Sequence, residues 1–167
     1  MIERILTIGA YGYNADTFAK ALQSADVDLF VDIRARRGMR GSAYAFANAS
    51  RLITTLAGVG IRYVAAKEVA PTQVVRDAQR LADVDAGIAK RARSQLSDAF
   101  IAAYRDQCLG HFDSRRFIDR YIDGAKRPVL FCVEREPAAC HRSLLAERLS
   151  IDLGVPVENI RPCELSL

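Results

Sequence analysis

The sequence predicts an α/β domain on a Rossmann-like, open, mostly parallel sheet of about five strands, with helices on both faces and a helical insertion in the middle. Three observations carry this expectation. Short β-rich apolar runs alternate with longer helical patterns, as successive βαβ units require. The run VLFCV, residues 129–133, is apolar throughout, as a strand buried on both faces must be. The chemically distinctive residues all follow the ends of strand-like runs, where open α/β sheets bind ligands.

The elements follow in order. A first strand is expected over Arg4 to Ile8, ending at the turn glycines Gly9 and Gly12. Asn14 is a candidate N-cap, and Phe18, Ala21, Leu22 and Ala25 recur at helical spacing. A second strand, Asp28 to Ile33, leads into the loop RARRGMRGSAY. A helix over about Asn48 to Leu56 stops near Gly58 and Gly60, and a third strand covers Ile61 to Ala65. Pro71 opens a helical middle: about Thr72 to Ala82, then a longer helix from about Ala86 to Gln107 with Ile88, Ala92, Leu96, Phe100 and Ala103 on one face, then Ser114 to Ile122. The fourth strand is Val129 to Val133, the last helix runs from His141 to Leu153, and Val157 to Arg161 is an edge strand.

The 167 residues suit a single domain, 1–167, and 50% apolar with 26% charged residues is ordinary globular usage. No apolar run approaches the roughly 20 residues of a membrane helix. The start, MIERILTIGAYG, carries Glu3 and enters a strand pattern, so neither a signal peptide nor export is expected and the location is expected to be cytoplasmic. In that compartment Cys108, Cys132, Cys140 and Cys163 read as free thiols. The net charge of +4 favours anionic partners but is modest for a nucleic-acid binder.

The strand–loop–helix unit VLFCVEREPAACHRSLLAERL has the form of an anion site. A helix starting at CHRS offers free N–H groups and a positive dipole end, to which Arg142, Ser143 and His141 add donors. Asp32 and Arg34 end the second strand as a candidate partner pair, and a structural ion pair is the competing reading of Asp32. Gly9 and Gly12 resemble a phosphate loop without its G-x-G-x-x-G spacing, so ordinary turn glycines account for them as well. If the strands are parallel, all three segments share one rim. Arg34 and Arg142 would then bind a phosphorylated or nucleotide-like anion. Glu134 or Asp32 would act as general acid–base, and Cys140 or Cys132 as nucleophile, in a hydrolase or transferase. Cys132 as core packing is the plainer reading.

Two alternatives stand beside this one. Arg36, Arg37 and Arg40, flanked by Tyr44 and Phe46, suit phosphates and stacked bases in a non-catalytic nucleic-acid-binding module. Cys132 and Cys140 suit a thiol-dependent redox sensor. No metal is expected, because the Cys132–Cys140–His141 spacing is not that of a zinc knuckle and adjacent Cys140 and His141 side chains should diverge. No cofactor is implied and the oligomeric state is open. His111 has no visible partner, and Lys90, Arg91 and Arg93 read as a solvated face.

Taken together, LTIG, VDIR, GIRY and FCVE…CHRSLLAERL resemble the bacterial family called domain of unknown function 488, from about Ile5 to Ile160. The stretch FCxE-x5-CHR is the most specific part. The resemblance implies a Rossmann-like α/β fold and carries over no activity. Its matching positions are Gly9, Asp32, Arg34, Cys132, Glu134, Cys140, His141 and Arg142. Family members commonly place a His-Ser pair after the first glycine, and a Pro and a Ser with an arginine after the second strand. Here the first position reads Ala10-Tyr11 and the second ARRGMRG. If that histidine is catalytic in relatives, this chain lacks their activity or uses Tyr11 instead.

Overall fold

In a computed structural model, residues 1–89 and 92–162 are described. Lys90, Arg91 and Cys163 lie outside the described residues. Five parallel strands, β1 (Ile5–Ile8), β2 (Leu29–Asp32), β3 (Arg62–Ala65), β4 (Pro128–Phe131) and β5 (Val157–Ile160), form one sheet in the order β3-β2-β4-β1-β5. The three central strands are buried along their whole length, while β3 and β5 close the edges with half-buried and exposed residues.

Helices cover both faces. On one side lie α1 (Ala15–Ser24) and α2 (Ala49–Gly58), whose Phe18, Leu22, Leu52 and Leu56 pack on Leu6, Ile8, Phe30, Val129 and Phe131. On the other lie α3 (Gln73–Asp85), α4 (Asp98–Gln107), α5 (Ser114–Phe117, continued by a wider turn over Ile118–Ile122) and α6 (His141–Leu153). Their core contains Val75, Phe100, Tyr104, Phe117, Leu145 and Leu149 against Ile5, Val31, Leu130 and Cys132. Alternation along β4 therefore holds: Val129 and Phe131 face α1 and α2, whereas Leu130 and Cys132 face α4 and α6. No helix among the described residues is long and apolar enough to cross a membrane.

Local chemistry explains most element ends. Asn14 caps α1 in a reciprocal capping box with Thr17, and Gly154, at φ +68°, ends α6 in the left-handed conformation. One expected element differs. The helix expected from Ala86 to Gln107 is not continuous among the described residues; α3 runs on to Asp85, Gly87 adopts φ +65°, and the C-terminal part forms a separate helix, α4, after Ser97, whose hydroxyl accepts from the Phe100 N–H. The helical spacing of Ile88, Ala92, Leu96 and Phe100 thus spans a break. Arg93, expected on a solvated face, forms a largely buried pair with Asp83 at 2.6 Å.

The chain leaves β1 through α1 toward β2 on one face, and leaves β4 through α6 toward β5 on the other. Connections that depart to opposite faces from adjacent strands open a crevice at the carboxyl rim. Here that position lies between β4 and β1.

Candidate functional site

The β1–β4 crevice is filled by the protein itself. The N–H groups of Ala10 and Tyr11 both donate to the Val133 carbonyl, at 3.2 and 3.0 Å. A Cβ on Gly9 would stand 1.9 Å from the Glu134 carbonyl oxygen, so only glycine permits this approach. Gly12, at φ +94°, lies against Pro162.

Arg142 seals the crevice from the α6 side. It is 1% exposed, the largest of the fully buried side chains. Its Nη1 donates to the Glu134 carbonyl at 2.6 Å, Nη2 to the Arg135 carbonyl at 3.0 Å, and Nε to the Thr7 hydroxyl at 3.4 Å. The guanidinium thus ties the loop after β4 to β1. Ser143 Oγ donates to the Cys140 carbonyl at 2.9 Å, so the start of α6 turns its side-chain donors inward.

On the α4/α6 face, Cys132 and Cys140, expected as alternative nucleophiles or as a redox pair, come together with His141, whose side chain is expected to diverge from Cys140. Cys132 Sγ, Cys140 Sγ and His141 Nδ1 lie within 4.8 Å of one another, and all three residues are buried. The nitrogen is 3.9 Å from Cys132 Sγ and 3.8 Å from Cys140 Sγ. The expected divergence of Cys140 and His141 is therefore corrected. Cys140 is the extended N-cap residue of α6, with φ −141°, so its side chain does not follow the helical direction of His141. His141 Nε2 lies 3.2 Å from the Ile33 carbonyl oxygen; a carbonyl only accepts, so Nε2 carries the proton and Nδ1 presents a lone pair to the sulfurs. The ring meets Tyr104 edge-on, at 5.6 Å between centroids.

The two thiols are pushed in opposite directions. Burial pushes Cys140 up, but hydrogen bonding from Cys132 and the nearby Arg142 and His141 outweigh it and hold Cys140 well below the ordinary thiol range. Cys132 is held well above it by its hydrogen bond to Cys140 and by burial, with the Glu134 carboxylate adding to the effect. Cys132 Sγ also lies 3.4 Å from Glu134 Oε2.

Asp32 and Arg34 share the rim but face the other layer. The Arg34 guanidinium grips Asp32 from Nε at 2.8 Å and Nη2 at 2.7 Å, and lies 4.6 Å above the Phe131 ring. The Tyr63 hydroxyl donates to the same carboxylate at 2.8 Å, and burial together with the Asp32 charge raises this phenol. Asp32 is 0% and Arg34 3% exposed, so the expected structural ion pair is present. Arg34 Nη1 is buried with no hydrogen-bond partner among the described residues. Arg36 and Arg40 are exposed in the following loop and Arg37 is half-buried. Tyr11 and Tyr44 meet edge-to-face at 5.1 Å, joining the β1 loop to the arginine loop.

Sequence reasoning missed Tyr63 and Thr7. Tyr63 stood in the quoted GIRY, but only the pairing of β2 with β3 sets it beside Asp32. A surface hollow lined by Asp113, Arg115, Arg116, Asp119 and Arg120 shares no residue with either cluster. No curated protein and no solved structure matches the chain. A family model does match, over residues 14–149, which include both clusters apart from Gly9, Gly12 and the β1 strand. The chain belongs to the family described as Domain of unknown function DUF488.

Proposed function

We propose that this protein binds a phosphorylated or nucleotide-like anion at the carboxyl rim of the sheet, on the α1/α2 side. The observation that carries the reading is Arg34 Nη1, a buried donor with no hydrogen-bond partner among the described residues. Such a donor is costly to leave unmade, by about 1–3 kcal/mol, and a phosphate oxygen satisfies it. Asp32 holds the guanidinium rigidly, so the free N–H is aimed before a ligand arrives. Arg36, Arg37 and Arg40 add positive charge in the loop that follows it, and the Tyr11–Tyr44 pair offers aromatic surface to a base.

The anion contact falls to Arg34 rather than to Arg142, whose donors are taken by Glu134, Arg135 and Thr7. Asp32 likewise serves Arg34 and Tyr63, and its role here is to position the arginine. The reading is one of binding; hydrolase or transferase chemistry would draw on Glu134 and the thiols across the sheet.

Calorimetric titration with pyrophosphate, adenosine monophosphate and a short single-stranded RNA at low and moderate salt tests this. Arg34→Lys keeps a charge beside Asp32 and removes the forked donor; it should weaken pyrophosphate binding by about tenfold. A wild-type protein that binds neither small anion at low salt, or a folded Arg34→Lys variant of unchanged affinity, overturns the reading. Binding to RNA alone, with affinity falling steeply as salt rises, replaces it with the nucleic-acid-binding one.

A further inference from the structure

On the opposite face of the rim, we infer that Cys132, Cys140 and His141 form a binding site for a borderline-soft divalent cation of the zinc type. The inference is independent of anion binding, because Asp32 and Arg34 take no part in it.

Distance is the first argument. Tetrahedral zinc, with bonds of about 2.3 Å to sulfur and about 2.0–2.1 Å to nitrogen, sets neighbouring sulfur and nitrogen ligands about 3.6 Å apart. The two Sγ–Nδ1 separations are 3.9 and 3.8 Å, and all three atoms fall within 4.8 Å of one another. Coordination closes the sulfur–nitrogen distances by a few tenths of an ångström, and closes the sulfur–sulfur distance from at most 4.8 Å to about 3.8 Å.

Orientation is the second. A ligating histidine ordinarily donates its other ring N–H to a carbonyl or carboxylate, which fixes the tautomer and turns the lone pair to the metal. His141 does this to the Ile33 carbonyl at 3.2 Å. The carbonyl belongs to the residue that follows β2, so the ring is fixed from a different strand than the sulfurs.

Support is the third. Cys132 follows β4 directly, and Cys140 and His141 open α6, a helix of 13 residues. Arg142 ties the intervening loop to β1 through the Glu134 and Arg135 carbonyls and Thr7. All three ligands thus stand on restrained backbone, and the positive end of α6 favours thiolates.

Two sulfurs and an imidazole select zinc, cobalt or ferrous iron over magnesium or calcium, which take oxygen ligands. Binding forms two metal–sulfur bonds and one metal–nitrogen bond, and the protons of both thiols pass to solvent. Three protein ligands leave a fourth tetrahedral position, as in zinc sites that hold water or substrate. Glu134 Oε2, 3.4 Å from Cys132 Sγ, is the carboxylate at hand on that side.

The test is titration of the whole, reduced, chelator-treated chain with Co²⁺, followed by ultraviolet and visible absorption. One equivalent should give the intense visible bands of tetrahedral cobalt together with sulfur-to-cobalt charge transfer, and Zn²⁺ should bleach both. Cys132→Ser, Cys140→Ser and His141→Gln should each weaken binding by at least about tenfold, while Cys108→Ser, outside the cluster, leaves the spectrum unchanged. The unmutated spectrum decides the matter even if a variant fails to fold. Absence of charge transfer at equimolar Co²⁺ overturns the inference, as does an unchanged spectrum in folded Cys132→Ser. A Cys132–Cys140 disulfide that returns after reduction and excludes Co²⁺ also overturns it, in favour of a redox pair.

Discussion

The two faces of the carboxyl rim solve the same problem with different chemistry. Toward α1 and α2, a buried charge is neutralised by a hard pair, the Asp32 carboxylate against the Arg34 guanidinium, completed by Tyr63. Toward α4 and α6, the buried Arg142 is received by the Glu134 and Arg135 backbone carbonyls, with two thiols and an imidazole nearby. The first arrangement is an ion pair, rigid and self-contained, with one donor left over. The second is a backbone clamp beside a soft cluster. The difference teaches that one β–loop rim can carry two chemically distinct sites, because successive strand residues point to opposite layers.

The largest expected effect breaks the first arrangement. Asp32→Ala leaves the Arg34 charge buried and uncompensated, and urea unfolding should show a loss of about 3–5 kcal/mol. If the two faces are independent, Cys132 and Cys140 in the folded variant should label at the same rate as in wild type.

Arg142→Ala tests the other face. It strands the Glu134 and Arg135 carbonyls and empties the volume of a buried arginine, for an expected loss of about 2–4 kcal/mol in the same assay. Because the clamp holds the loop between Cys132 and Cys140, labelling of these thiols should accelerate in this variant and not in Asp32→Ala.

Tyr63→Phe sharpens the comparison more gently. It deletes one hydrogen bond to a carboxylate that Arg34 still grips, at a cost of about 1 kcal/mol by urea unfolding. The smallest effect at neutral pH is a dependence that emerges only in alkali. Burial, opposed by Arg142, pushes the Tyr13 phenol up to about 12 from its ordinary 10. The unfolded chain releases that proton first, so stability is full below pH 10 and falls as pH rises toward 12. A Tyr13→Phe variant should lose part of that alkaline slope in denaturant titrations at fixed pH values.

Much of the fold was legible because its elements advertise themselves locally. β4 is an unbroken apolar run, and α6 occupies His141–Leu153 as expected, with Gly154 stopping it. Asn14 acts as the cap its position implied. The helix expected over Ala86 to Gln107 shows the limit of periodicity. Its apolar spacing continues across Gly87, yet Ser97 is a cap in the same stretch, and a cap marks a start that spacing alone overlooks. Of the site, the residue types at the strand ends were legible, and so was the shared rim once parallel strands were assumed. Their partners were not. Asp32 is paired with Arg34 two residues away, which sequence permits but does not require, and with Tyr63 across a strand pair.

The sequence by itself determined the five strands and most of the helices, the break between α3 and α4 excepted, and that Asp32, Arg34, Cys132, Glu134 and Arg142 stand at strand ends or in the loop–helix units that follow them, because propensity, capping and alternation act over a few residues. Only the tertiary structure decided that β4 inserts between β2 and β1, that Arg142 is consumed by carbonyls, and that His141 turns its lone pair to two sulfurs. Those facts depend on Ile33, Thr7 and Gly9, residues more than a hundred positions from the side chains they touch, and their placement follows from strand order and packing.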